Sequence, residues 1–221
     1  MDMVEELRLH EYGYARTEQM RVQTVSINPT DPTPTTLETS AWRLTSKDGR
    51  WVATIAADSY TLETTNYRTW AADFRTRLEA LVQTVERAMK PAVATRIGLR
   101  YVDSLRVGLE PDGYKQVISR PLLGPLLHPL FGYGVTSTQQ QFSFALDESL
   151  RATIRHGLFP DPARAELSTY LVDTDIYRED LMRLESASLL ALIDVMHDDH
   201  LRIFRACLTD AALELLRGSA S

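Results

Sequence analysis

Tyr60-Thr-Leu-Glu-Thr-Thr-Asn-Tyr-Arg68 recurs 110 residues later as Tyr170-Leu-Val-Asp-Thr-Asp-Ile-Tyr-Arg178. Tyr60/Tyr170, Thr64/Thr174, Tyr67/Tyr177 and Arg68/Arg178 are identical, while Leu62/Val172 and Glu63/Asp173 are conservative. In both places a strand with an acidic residue reads into a Thr-containing turn and then a helical region. Chance competes as an explanation for so short a window, but the repeated context favours duplication. The fold this predicts is α+β: two pseudo-repeated antiparallel β-meanders, each backed by a long helix, in two-layer sheet-on-helix packing.

The flanking sequence fills in each half. Upstream, Val22, Thr24 and Ser26 alternate with Gln23, Val25 and Ile27 as one strand, and the three prolines of Asn28–Thr36 read as an exposed loop. Lys47-Asp48-Gly49-Arg50 separates two β-rich runs and predicts a hairpin. Downstream, Tyr67, Trp70, Ala71, Phe74, Leu78, Leu81, Val82, Val85 and Met89 recur at three and four, a helix capped at Thr65 or Asn66 and stopped by Pro91. Its wide stripe is a core face. Further strands are expected over 95–103, 139–146, 150–158 and 170–173, and helices over the C-terminal third, with Thr209 as a cap. The organisation expected is a strand and Pro/Thr-rich loop at 1–36, a first meander with its helix and an Arg-rich strand at 37–110, a Pro/Leu crossover at 111–134, and a second meander with helices at 135–221, all in one compact unit.

Composition sets outer limits. The 221 residues carry 24 basic against 30 acidic side chains, a formal charge of −6, and 44% are hydrophobic, so the chain can bury a sizeable core. A net acidic chain argues against nucleic-acid binding in the absence of strong charge segregation. No apolar run suits a membrane span and the N-terminus has no signal-peptide pattern, so a cytoplasmic location is expected. The single cysteine, Cys207, excludes an internal disulfide and any multi-cysteine metal site. Arginines outnumber lysines 21 to 3, which suits bidentate pairing.

Arg96-Ile-Gly-Leu-Arg-Tyr-Val-Asp103, preceded by Tyr60-x-Leu and Tyr67-x-x-Trp70-x-x-x-Phe74, resembles a sporadically distributed family of uncharacterised bacterial proteins marked by an Arg-Ile-Gly-Leu-Arg-Tyr strand. Tyr170-Leu-Val-Asp-Thr-Asp175 and the helix carrying His197, Phe204, Leu208 and Thr209 fit the same pattern, so the resemblance covers roughly residues 41–216. Asp103 departs from it, standing where the family pattern has Asn. The resemblance implies an architecture and a bacterial origin, and no activity.

Several residues are candidates for a site. Arg96 and Arg100 share one strand face around the bare Gly98, and either clamp an anion or carboxylate or pair internally with Glu63 and Asp173. Internal pairing is the stronger reading, because the acids recur with the repeat. Asp173 and Asp175 could serve acid–base chemistry, but an ion pair and a turn cap account for them more simply. His197-Asp-Asp-His200 spaces two metal ligands with no third evident; His200 falls on the apolar stripe as a hydrogen-bonded core histidine, with Asp198 and Asp199 solvated. Cys207 lies on the same stripe and is expected to be buried. In Arg120–Gly134, three prolines interrupt Leu122, Leu123, Leu126, Leu127, Leu130 and Phe131, a segment that either tucks under the domain or offers an apolar ledge.

The reading that follows is a non-catalytic cytoplasmic protein-binding module, a neutralising, scaffolding or chaperone-like partner of another bacterial protein, or one that self-associates. Its contacts would come from Arg96, Arg100, Asp173, Asp175, Leu123, Leu126, Leu127 and Phe131. No cofactor or metal is called for. No Gly-rich loop, nucleophile elbow or His-Glu-x-x-His motif points to catalysis. The alternative is a small-molecule or anion-binding or enzymatic domain, with those arginines and aspartates lining a pocket between sheet and helices.

Overall fold

Backbone pairing divides the chain into two units, residues 1–92 and 93–221, each with its own antiparallel sheet and long helix. The structure is a computed structural model that describes residues 3–9, 13–28, 31–107, 113–130, 134–161 and 164–218. The division falls just after the first long helix. The Arg-Ile-Gly-Leu-Arg-Tyr strand therefore belongs with the second unit, where its hydrogen-bonding partner lies, and not with the first meander.

The first unit runs α1 (Met3–Leu9), β1 (Tyr14–Asn28), β2 (Asp31–Ser46), β3 (Trp51–Ala56), β4 (Tyr60–Thr64) and α2 (Arg75–Met89), with sheet order β1-β2-β3-β4. The Pro/Thr run is not a loop: β2 begins at Asp31 and pairs with β1 almost to the turn. Pro32 and Pro34 are accommodated because they fall at a register irregularity opposite Ile27, where the ladder does not require their missing N–H groups. The Asp-Gly hairpin forms as its sequence predicts, with Gly49 at φ 72° and its N–H donated to the Ser46 carbonyl at 2.9 Å.

The α-helix starts later than its periodicity suggests. Thr69 is extended and gives no side-chain cap, and Trp70–Phe74 form a π-helical turn before α2. Phe74 stacks on Trp70 there, with ring centroids 5.5 Å apart. Lys90, in the left-handed region, ends the helix before Pro91. Leu81 and Val85 of α2 meet Leu7, Tyr14, Leu44, Ala53 and Ile55 in one buried cluster.

The second unit contains β5 (Val93–Ala94), β6 (Ile97–Val107), α3 (Gly113–Val117), α4 (Arg120–Leu123), β7 (Gln140–Ala145), β8 (Leu150–Asp161), β9 (Arg164–Arg178), β10 (Met182–Arg183), α5 (Ser186–Cys207) and α6 (Asp210–Gly218). The main sheet has the order β6-β9-β8-β7, and β5 pairs with β10. Asp147 Oδ1 accepts from the Ser149 and Leu150 N–H groups, both at 2.7 Å, and so closes the β7–β8 hairpin. Thr209 Oγ1 caps α6 by accepting from the Ala212 N–H at 3.2 Å.

Period-2 alternation gives this sheet two different faces. Leu99, Ala152, Ile154, Tyr170, Val172 and Ile176 are buried on the inner one, where α5 packs against β6 and β9. Each buried Leu, Ile or Val side chain there contributes roughly 1.5–3 kcal/mol. The repeated segments are placed differently. Tyr60–Thr64 is an edge strand that ends before Tyr67, whereas Tyr170–Arg178 lies wholly within the interior strand β9. Thr174 is consequently a buried strand residue and not part of a turn.

Candidate functional site

Gly98 explains how the outer face of the second sheet is built. It sits opposite Tyr177, and a Cβ there would lie 3.2 Å from an Arg96 guanidinium nitrogen and 3.6 Å from Asp175 Oδ1. The bare position lets Arg96 cross the strand: Nη2 reaches Asp175 Oδ2 and Nε reaches Glu179 Oε1, each at 3.1 Å. The same guanidinium lies 4.8 Å over the Tyr177 ring. Arg100 reaches diagonally to Asp173 in a bidentate pair, Nε to Oδ1 and Nη2 to Oδ2, both 2.7 Å. Arg155 of β8 approaches Asp173 from the other side at 3.5 Å and donates to Gln141 Oε1 at 3.2 Å.

Arg96, Arg100, Asp173 and Asp175 thus come together, as pairs. Asp173 is the partner anticipated for arginine. Asp175, expected to cap a turn, is instead mid-strand and bound to Arg96, while Glu63 belongs to the first unit. The carboxylates are recessed and the guanidiniums lie over them: the Asp173 side chain is 12% exposed and that of Arg100 58%. Asp173 holds Arg100 still further above its already high pKa. Arg96, Arg100 and Arg155 are matched by Asp173, Asp175 and Glu179, while Arg106 and Arg151 lie on the same face by alternation, so the exposed surface keeps an excess of positive charge. Two shallow cavities lie elsewhere. One of about 470 Å³ is bordered by Ser46, Asp48, Trp51 and Arg77, and the other, of about 360 Å³, by Ile97, Leu181, Met182 and Leu189.

The inner face holds a second polar group that sequence reasoning did not assemble. Tyr101 and Asp103 project from β6 toward α5, where the Tyr101 hydroxyl is 2.9 Å from His197 Nδ1. His200 stacks on Tyr101 with ring centroids 3.8 Å apart, and its Nε2 is 3.9 Å from Asp103 Oδ2, too far for a hydrogen bond. His200 is therefore a stacked core histidine, and His197 is the hydrogen-bonded one. Asp199 is also buried, paired with Arg202 at 2.6 Å, and not solvated.

Asp103 Oδ2, His200 Nδ1 and Thr174 Oγ1 are buried without hydrogen-bond partners. Burial raises the Asp103 carboxyl to about 6 and, together with His197, lowers His200 to about 4. Burial and the nearby Asp103 push the Cys207 thiol up to about 11, which leaves it un-ionised and unreactive. The alternation of β6 was the signal for this cluster: it puts Tyr101 and Asp103 opposite Arg100, facing whatever covers the sheet. Among the described residues, no three His, Cys, Asp or Glu side chains gather as a metal site requires.

The Pro/Leu segment is split between the two fates considered for it. Leu123 and Leu126 are each 2% exposed and are unavailable to a partner, whereas Leu127 and Leu130 are exposed, Leu130 to 83%. The Leu122 carbonyl fastens the segment to the sheet, accepting from the Tyr170 hydroxyl at 3.3 Å and from Gln140 Nε2 at 3.2 Å. Phe131 lies outside the described residues. No helix among the described residues is long and apolar enough to cross a membrane. No family model, curated protein or solved structure matches the chain.

Proposed function

We propose that this chain is a non-catalytic binding module that engages a protein partner through the outer face of the second sheet. The observation that carries the reading is the form of that face. Arg96 and Arg100 are pre-ordered by recessed carboxylates, largely neutralised, and presented on an open surface beside the exposed Val102. A small ligand needs a concavity that buries most of its surface, whereas a broad macromolecular contact uses a flat, satisfied, Arg-rich patch. Ordered guanidiniums also lose less freedom on binding than free ones. Leu127 and Leu130 are the part of the Pro/Leu segment left to such a partner.

The setting we propose is the bacterial cytoplasm, with the module neutralising, scaffolding or chaperoning another protein, as a member of the family whose Arg-Ile-Gly-Leu-Arg-Tyr strand it resembles. We further read the two units as a duplication in two-layer packing; a four-stranded antiparallel sheet followed by a long helix in each supports this.

Native mass spectrometry on protein purified gently from its own host tests the function, with Val102→Lys and Arg100→Glu as probes. A stoichiometric partner mass, lost in both variants while their circular dichroism is unchanged, is the expected result. A retained small molecule, or a partner indifferent to both variants, would overturn it; the small molecule would favour an anion-binding domain.

A further inference from the structure

We propose that two copies of this chain pair through β7, antiparallel across a twofold axis at Ser143, to form one eight-stranded sheet. The inference is independent of what binds the Arg-lined face. β7 is an edge strand, paired among the described residues with β8 alone. Edge strands invite pairing, and proteins normally blunt them with charge, proline or irregularity. The opposite edge, β6, carries Arg100, Asp103 and Arg106; Gln140-Gln-Phe-Ser-Phe-Ala145 has no charge, no proline and no bulge. Phe142 and Phe144 are 41% and 36% exposed on that edge, their rings stacked 6.0 Å apart.

The hydrogen-bond pattern fixes which backbone groups are open. The Leu146 N–H donates to the Leu150 carbonyl and the Thr138 N–H to the Leu158 carbonyl, both at 2.9 Å. Hydrogen-bonded pairs alternate along an antiparallel ladder, so Gln140, Phe142 and Phe144 spend their backbone groups on β8. Gln141, Ser143 and Ala145 turn each N–H and C=O to the free edge. A twofold centred on Ser143 maps these three residues onto themselves: Ser143 faces Ser143 of the second copy and Gln141 faces its Ala145. Every outward donor then meets an outward acceptor.

The side chains agree with that register because Phe-Ser-Phe reads the same in both directions. Phe142 of each copy falls opposite Phe144 of the other in the non-hydrogen-bonded positions, where facing side chains come closest. The hairpin acids Asp147 and Glu148 fall opposite Gln139 and Thr138, not opposite each other. An axis of this kind stands perpendicular to the sheet, so both Arg-lined faces look the same way.

The test is sedimentation of the full chain over a wide concentration range, with Ser143→Pro, Ser143→Cys and Gln141→Cys. Proline at 143 removes an outward N–H and the Ser143 hydroxyl's 2.8 Å hydrogen bond to Thr153 Oγ1 but no β7–β8 ladder bond, so circular dichroism should stay near wild type, with a small drop in melting temperature, while the dimer becomes monomer. Facing hydrogen-bonded positions have Cα atoms about 5.5 Å apart, inside the disulfide window, so Ser143→Cys should cross-link on mild oxidation. Gln141→Cys places its thiols roughly 13 Å apart or more and should not; the native Cys207 is buried and does not compete. A wild-type chain that stays monomeric overturns the proposal. So does a dimer that survives Ser143→Pro, or one that cross-links as readily through position 141 as through 143.

Discussion

Replacing Asp103 with Asn removes a carboxylate that burial holds at about 6 and leaves its shape beside His200. Between its free value of 3.8 and about 6 the folded chain binds more protons at Asp103 than the unfolded chain does. The contribution of Asp103 to stability is thus largest below pH 4 and is lost as pH rises through 6. At about 1.4 kcal/mol per pH unit the loss is about 3 kcal/mol, reduced to about 2 by the carboxylate's partial contact with solvent. His200 works in the opposite sense. Lowered from 6.5 to about 4, it binds fewer protons when folded, so its contribution is present above pH 6.5 and is lost toward pH 4. That loss amounts to about 3 kcal/mol.

The two slopes nearly cancel in the wild type, whose urea stability should be almost flat between pH 4.5 and 6.5 as far as this pair is concerned. Asp103→Asn should gain about 2 kcal/mol at pH 7 and lose about 3 on acidification. His200→Phe, which keeps the stack on Tyr101, should instead become less stable as pH rises from 4 to 6. Urea denaturation at half-unit pH steps reads all three curves. If Asp103→Asn tracks the wild type throughout, the carboxylate does not face the histidine in a buried setting and the reasoning fails.

Other perturbations separate surface from core. Arg100→Ala should cost only about 1–2 kcal/mol by urea denaturation, because more than half of the Arg100 side chain is in water and Asp173 keeps Arg155 nearby; a loss of several kcal/mol would mean the pair is dry in solution. Leu126→Asp should abolish folding of the second unit, judged by soluble yield and circular dichroism, since it buries a charge with nothing to pair it. Leu130→Asp should stay within about 0.5 kcal/mol of wild type.

What could be read from the chain depended on whether a local rule was in charge. The Asp48-Gly49 hairpin, the end of α2 at Pro91 and the Thr209 cap follow from one or two residues acting on their own backbone, and each was legible. The two-sided reading of β6 was legible for the same reason, as was the Arg100–Asp173 pairing, because acid and arginine alternate on matching faces. The β1–β2 ribbon was not: Pro32 and Pro34 look like loop residues until a partner strand supplies an irregularity to absorb them. Thr174 and Asp175 have turn-like local sequence, but strand length is set by pairing, and β9 is sandwiched between β6 and β8 along its length. The inner cluster was hidden because Tyr101 and His200 are distant in sequence and meet only when α5 crosses β6.

These particulars converge on β6. One strand carries both polar systems, with Gly98 and Arg100 outward and Tyr101 and Asp103 inward, and only its register against β9 keeps them apart. A slip of one residue would bring Arg100 beneath α5 and expose Leu99 and Tyr101. The bidentate Arg100–Asp173 pair opposes that slip: it is too exposed to add much stability, but its two parallel bonds form only in the native register. Asp103, unpaired and desolvated, costs stability at neutral pH in the correct register, so the outer pair and the apolar inner face together must outweigh it. The outer salt bridges therefore serve specificity of strand pairing ahead of stability.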